Sequence, residues 1–211
     1  KNINTINMKN LFSALTVLFT LSACTFIPEP PYSLYVEVPS DDYINETFSS
    51  SLGVFESVET VGEYPWVIDH NTAKATSFDS ANKIDNAAKS YLISEPIDFT
   101  NEEQAYIEFN YIIQYADNNI ANCHQLLMCE NYSGDASKAA WVNIPYGAEP
   151  GKTTAEGKAD WNTFSKASVE VPGQFMGKSG VVVAFCYNIE EGKKSTTWEV
   201  KNFRLAKGAM S

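Results

Sequence analysis

The chain has 211 residues, a formal net charge of −11 and 44% hydrophobic residues. That length suits one domain of roughly 150–170 residues plus a tether, enough to bury a core. The acidic balance argues against nucleic acid as a partner, because phosphate contacts need clustered Lys and Arg, and against a basic membrane-surface patch.

The charge is unevenly spread. The first 23 residues hold two lysines and no acid, so all 26 acids lie downstream. Met8 is followed by Lys9-Asn10 and then by the apolar run from Leu11 to Leu21. A charged start followed by a short apolar run has the layout of a secretion signal. The run is too short to cross a bilayer as a helix, which takes about 20 residues. Residues 1–7 precede Met8, a plausible start, and are expected to be an over-called extension.

The run ends in Leu21-Ser22-Ala23-Cys24, which resembles the bacterial lipobox: an aliphatic residue, two small residues, then Cys. The resemblance implies that the Cys24 thiol takes a diacylglycerol and that residues 1–23 are removed as a signal peptide. Two or three acyl chains anchor a protein stably where one does not. The expected place is the outer membrane. Thr25 and Phe26, next in the chain, do not form the acid-rich run associated with surface export in Bacteroidetes lipoproteins. The periplasmic and the cell-surface face both stay open. Residues 24–42 contain Pro28, Pro30, Pro31 and Pro39 and read as a tether, extending roughly 3.1 Å per residue where it is polyproline-like.

From Tyr43 onward strand signals dominate. In residues 105–115, Ile107, Phe109, Tyr111, Ile113 and Tyr115 share one parity, while Glu108, Asn110 and Gln114 share the other. That alternation describes a half-buried strand. Further strands are expected at 43–48, 52–59, 65–69, 73–79, 89–94, 123–130, 140–144, 161–170, 180–189 and 196–205, with a short helix conceivable at 135–140. Many short strands and no long amphipathic helix predict an all-β, two-sheet sandwich of the jelly-roll type over residues 43–207. With Cys24 lipidated, Cys123, Cys129 and Cys186 leave an odd count, and they read mainly as buried small hydrophobes. A disulfide involving Cys186 stays open.

Several segments, in order, resemble the Bacteroidetes choice-of-anchor J jelly-roll domains and the related DUF5017 lipoproteins. They are Asn45-Glu-Thr-Phe48, Gly62-Glu-Tyr-Pro-Trp66, Ser90 to Asp98, Tyr106-Ile-Glu-Phe109, Asn131 to Asp135 with Trp141, Gly177-Lys178 leading into Val181 to Phe185, and Thr197 to Phe203. The resemblance implies a jelly roll on a cell-envelope protein, often glycan-associated or adhesive, with no single ligand.

Two polar residues stand where alternation asks for apolar ones. Glu46 shares parity with Ile44 and Phe48, and Asn202 shares parity with Trp198 and Val200. In regular strands both point inward, and a buried carboxylate needs a partner. First and last strands of a jelly roll commonly lie side by side, so the two residues are candidates for a structural Ca²⁺, which takes six to eight oxygens. Related carbohydrate-binding jelly rolls imply such an ion at this place. Lys201, where the family has Asp, is an alternative partner for Glu46, and a bulge would turn Asn202 outward.

Trp141 and Trp161 flank the polar, Gly-rich loop 145–160, and Tyr146 lies within it. Sandwich-end loops often carry binding, so these three aromatics are the candidate ligand contacts. Large aromatics are equally at home in a β-sandwich core. Asp79-Ser80-Ala81 matches a short Bacteroidetes O-glycosylation pattern, which makes Ser80 a candidate acceptor. Gly173 to Ser179 imitates a phosphate loop, but its first glycine is one residue late and a strand follows, so it reads as a turn. His70 and His124 fit no metal-ligand spacing, and nothing in the sequence sets a His beside a nucleophile. The expectation is a non-catalytic, lipid-anchored binding module for a glycan or another surface ligand. A structural or adhesion subunit contacting another protein is the alternative, and a glycan-active enzyme is third.

Overall fold

The computed structural model describes residues 42–116 and 120–210. The lipobox, Cys24 and the tether before Asp42 lie outside the described residues. Strand β1 (Asp42–Glu46) opens the fold, followed by β2 (Phe55–Val61), β3 (Val67–Asp69), β4 (Thr72–Thr76), β5 (Phe78–Asp79), β6 (Ile84–Asp85) and β7 (Ala88–Ser94). Then come β8 (Ala105–Gln114), a helical turn at Ile120–Cys123, β9 (His124–Glu130), β10 (Val142–Asn143), β11 (Ser165–Glu170), β12 (Val181–Ile189) and β13 (Thr197–Lys207).

Two antiparallel sheets make the sandwich. The first runs β11-β8-β13-β4-β3, and the second runs β10-β9-β12-β7-β2. Strand β13 is long enough to serve two partners on one edge. Its first half pairs with β4 and its second half with β1. Strands β5 and β6 form a separate small hairpin. No helix among the described residues is long and apolar enough to cross a membrane.

The alternation in β8 works as the sequence predicts for most of its length: Ile107, Phe109, Tyr111 and Ile113 are buried between the sheets. Trp198 and Phe203 of β13 lie beside them in the same sheet, and Phe185 of β12 stands across from them, with Trp66 in the same core. The rings meet edge-on: Phe109 to Phe185 at 5.0 Å, Phe185 to Trp198 at 5.5 Å, Phe185 to Phe203 at 5.6 Å. That arrangement suits ring quadrupoles and adds to the area each ring removes from water.

Alternation fails at two places. Tyr115 adopts a left-handed backbone, φ 64°, just past β8. That turn rotates it off the core face expected from its parity, and it is 51% exposed. Asn202 is also left-handed, φ 52°, at a register shift between Lys201 and Arg204. This bulge puts Phe203 into the core in place of Asn202.

Loops cover parts of both outer faces. Over the second sheet, Trp141 stacks on Tyr91 at 5.6 Å, and its Nε1 donates to the Ala136 carbonyl. The segment expected as a short helix at 135–140 is a series of turns, because the Asp135 carboxylate caps Ser137 N–H and Oγ–H locally. Over the first sheet, Gln114 Nε2 donates to the carbonyls of Lys152 and Asp160, pinning the long loop against β8. Gly173–Phe175 is a 3₁₀ turn, within the stretch read as a turn from the sequence.

Cys129 and Cys186 are free thiols. Burial pushes the Cys129 and Cys186 thiols up to about 11, so both behave as small apolar residues.

Candidate functional site

The three aromatics singled out from the sequence are not brought together. Tyr146 packs inward: it stacks parallel to Trp198 at 6.4 Å, meets Phe109 and Tyr111 edge-on, and donates its hydroxyl to the His124 carbonyl. Burial raises its phenol well above the ordinary tyrosine value. Trp141 lies over the opposite sheet, between Tyr91 and Tyr132. Only Trp161 faces an open groove.

That groove, about 620 Å³, runs over the outer face of the first sheet. Its floor is the row of outward side chains on β4 and β13, including Thr72, Lys74, Thr197, Glu199 and Lys201. One wall is the Asp69-His70 turn between β3 and β4. The other is Tyr115 with Trp161, Asn162 and Phe164. Trp161 leans on Tyr115 at 6.1 Å, and Lys201 Nζ sits 3.6 Å above the Phe164 ring. Lys74, Tyr115 and Thr197 also line an adjoining trough of about 480 Å³ that continues to Phe78 and Ser80. Three of the large hydrophobic residues left exposed on the surface, Phe78, Tyr115 and Trp161, therefore lie along one continuous depression.

The charges in the groove are largely paired off. Lys74 Nζ lies 2.5 Å from Asp69 Oδ2, and this hydrogen bond holds the Asp69 carboxyl below the ordinary aspartate value. His70 Nδ1 lies 2.8 Å from Asp69 Oδ1. Glu199 differs: burial pushes its carboxyl above the ordinary glutamate value, with Lys74 and Lys201 opposing the shift.

Glu46 is half-buried, and its Oε1 accepts the Val54 N–H at 3.2 Å. Asn202 is exposed and donates through Nδ2 to Asn110 Oδ1 at 3.2 Å. Asn202, turned outward by the bulge, is not brought to the Glu46 carboxylate. Among the described residues no three His, Cys, Asp or Glu side chains cluster as a metal site. Ser80 is exposed at the tip of the β5–β6 hairpin, where the Asp79 carboxylate accepts the N–H groups of Ala81 and Asn82.

One contact between histidine and hydroxyl escaped the sequence. His124 Nε2 lies 2.7 Å from Thr196 Oγ1, and Nδ1 lies 2.8 Å from the Ile120 carbonyl. Thr196 is only 3% exposed, so the pair braces the core. The groove residues Asp69, Lys74, Tyr115, Thr197 and Glu199 were also missed. Outward-facing charges on a strand look like an ordinary solvated face, and Tyr115 carries core parity.

No protein-family model matches the chain. No curated protein matches it either. Among solved structures, the chain is similar to the K1 cleaved adhesin domain of Lys-gingipain from Porphyromonas gingivalis W83. The TM-score is 0.50 at 16% identity, covering 79% of this chain and 98% of that one. The K3 cleaved adhesin domain of the same protein matches with TM-score 0.50 at 12% identity, over 79% of this chain and 99% of that one. A xylan-binding domain matches with a TM-score of 0.41 at 8% identity, over 81% of this chain and 97% of that one. At these identities the likeness is one of fold: the chain is a two-sheet β-sandwich of the kind seen in the cleaved adhesin domains.

Proposed function

We propose that this protein is a non-catalytic glycan-binding module, displayed from the outer membrane by a lipid on Cys24. One observation carries the reading: the continuous groove over the first sheet, edged by the exposed rings of Trp161, Tyr115 and Phe78. Flat rings beside hydrogen-bonding side chains suit a sugar, which has apolar faces and a polar rim. The family resemblance to cell-envelope jelly rolls points the same way. Ser80, exposed beside the second trough, is the proposed O-glycan acceptor.

The test is a glycan array with the detergent-solubilised full chain, followed by titration of any hit. Trp161→Ala and Tyr115→Ala should each weaken binding about 10- to 100-fold. Their melting temperatures should stay close to the parent, because both rings are exposed. Trp141→Ala, over the other sheet, should leave affinity unchanged. An array without a single glycan hit sinks the reading and moves the protein to the class of protein-contacting adhesion subunits. Anchoring is read separately: Cys24→Ala should move the protein from the membrane fraction to the soluble fraction, and an unchanged partition would reject the lipid.

A further inference from the structure

Strand register places Lys74 on β4, Glu199 on β13 and Ile112 on β8 in one row across the first sheet, with Lys74 and Glu199 on the groove floor. Lys74 is the cross-strand neighbour of Glu199, and opposite charges placed so usually pair. Here the ammonium goes instead to Asp69 on β3, at 2.5 Å. On the other side Ile112 is 1% exposed and offers no donor. Lys201, two residues along the same strand, lies over Phe164.

Glu199 is only 7% exposed, and among the described residues no hydrogen bond or ion pair is made to its carboxylate. A carboxylate that has lost most of its water and gained no donor is costly. Its oxygens still reach the groove that it lines. Such a group is preorganised for a donor supplied from outside.

The charges around it narrow what that donor is. The floor and the Asp69-His70 wall hold two acids, Asp69 and Glu199, two lysines, Lys74 and Lys201, and the titratable His70. A charged ligand meets a like charge whatever its sign. A neutral ligand that donates two adjacent hydroxyls to one carboxylate meets no such penalty. We propose, building on the glycan reading, that Glu199 is the specificity-determining residue of the groove and that it selects neutral sugars presenting a vicinal hydroxyl pair.

Titration calorimetry tests this with the detergent-solubilised full chain, using neutral oligosaccharides such as xylopentaose and galactotriose, neutral array hits and matched uronate-containing chains. The parent should bind at least one neutral sugar, and Glu199→Gln should weaken it about 10- to 100-fold. A sugar lacking one of the two hydroxyls should bind the parent and the variant alike. Affinity of the parent should fall as the pH drops and Glu199 takes up its proton, while Glu199→Gln stays flat. Thermal melting supplies the control for folding. Burial disfavours the charged form, so the ionised group costs stability at neutral pH. Glu199→Gln should therefore melt higher than the parent at neutral pH, with the gap closing as the pH falls towards the ordinary glutamate value. Neutral-sugar binding that Glu199→Gln leaves intact overturns the role of Glu199 and spares the glycan reading. A preference for uronates overturns the selectivity. Failure of the parent to bind any glycan overturns the glycan reading itself, and this inference with it.

Discussion

Trp198→Ala is expected to lower the unfolding free energy by about 3–5 kcal/mol, a large share of the 5–15 kcal/mol that holds a typical domain together. Trp198 is fully buried on β13 of the first sheet. Its ring meets Trp66 at 5.2 Å, His124 at 5.2 Å, Phe185 of the second sheet at 5.5 Å and Tyr146 at 6.4 Å. Alanine there empties the space where the two sheets interdigitate, and rings held by several partners cannot all move in to fill it. Trp198→Phe should cost much less than the alanine change. The Trp198 Nε1–H is buried without a hydrogen-bond partner, so phenylalanine removes volume but no bond, and it also removes an orphaned donor. Urea unfolding followed by circular dichroism measures both. A change below 1 kcal/mol for the alanine variant would mean that this ring is not a core element.

Gly53→Ala is the second large effect, at about 2–4 kcal/mol. Gly53 has φ 60°, in the left-handed region where a Cβ is disfavoured. A Cβ built there would lie 2.1 Å from the Glu46 carboxylate. The Glu46 side chain would have to leave, giving up its hydrogen bond to the Val54 N–H. The β1–β2 connection thus depends on a small addition: one methyl group displaces the carboxylate that ties the turn to the first strand. Melting of Gly53→Ala beside Glu46→Ala separates the parts, since the second variant loses the hydrogen bond without the backbone strain and should be milder. The same pair serves the cation reading. A drop in parent melting temperature on adding EDTA that Glu46→Ala no longer shows would assign a bound Ca²⁺ to this carboxylate. An equal melting temperature with and without EDTA would leave Glu46 as a cap on Val54 alone.

Much of the sandwich is legible in the order of residues because strand periodicity is local. Ile107 to Ile113 alternate in sequence and alternate in burial for the same steric reason: successive side chains on a pleated strand face opposite ways. The absence of a long amphipathic pattern rules out large helices by the same logic. Legibility ends where the backbone leaves the regular strand. Tyr115 and Asn202 carry core parity, and each is turned outward by a left-handed residue that no alternation count reveals. A single bulge at Asn202 separates the two residues named for one cation site. Trp141, Tyr146 and Trp161 lie within 21 positions of one another in the chain, yet they end over one sheet, in the core and over the other sheet.

By itself, the sequence determines the class of the fold, the parity of the regular strands and the charge balance of the surface. It also carries the segment Leu21 to Cys24, whose resemblance to a lipobox is the ground for the proposed lipid on Cys24. The groove was decided by tertiary structure alone. Asp69, Lys74, Ile112 and Glu199 come from four strands, and they meet only because β13 lies between β4 and β8 with one particular register. Whether Lys74 answers Asp69 or Glu199 depends on the geometry of three neighbouring strands. That choice leaves one carboxylate facing the groove with no donor, because the energetics of pairing belong to the assembled sheet and not to any stretch of its sequence.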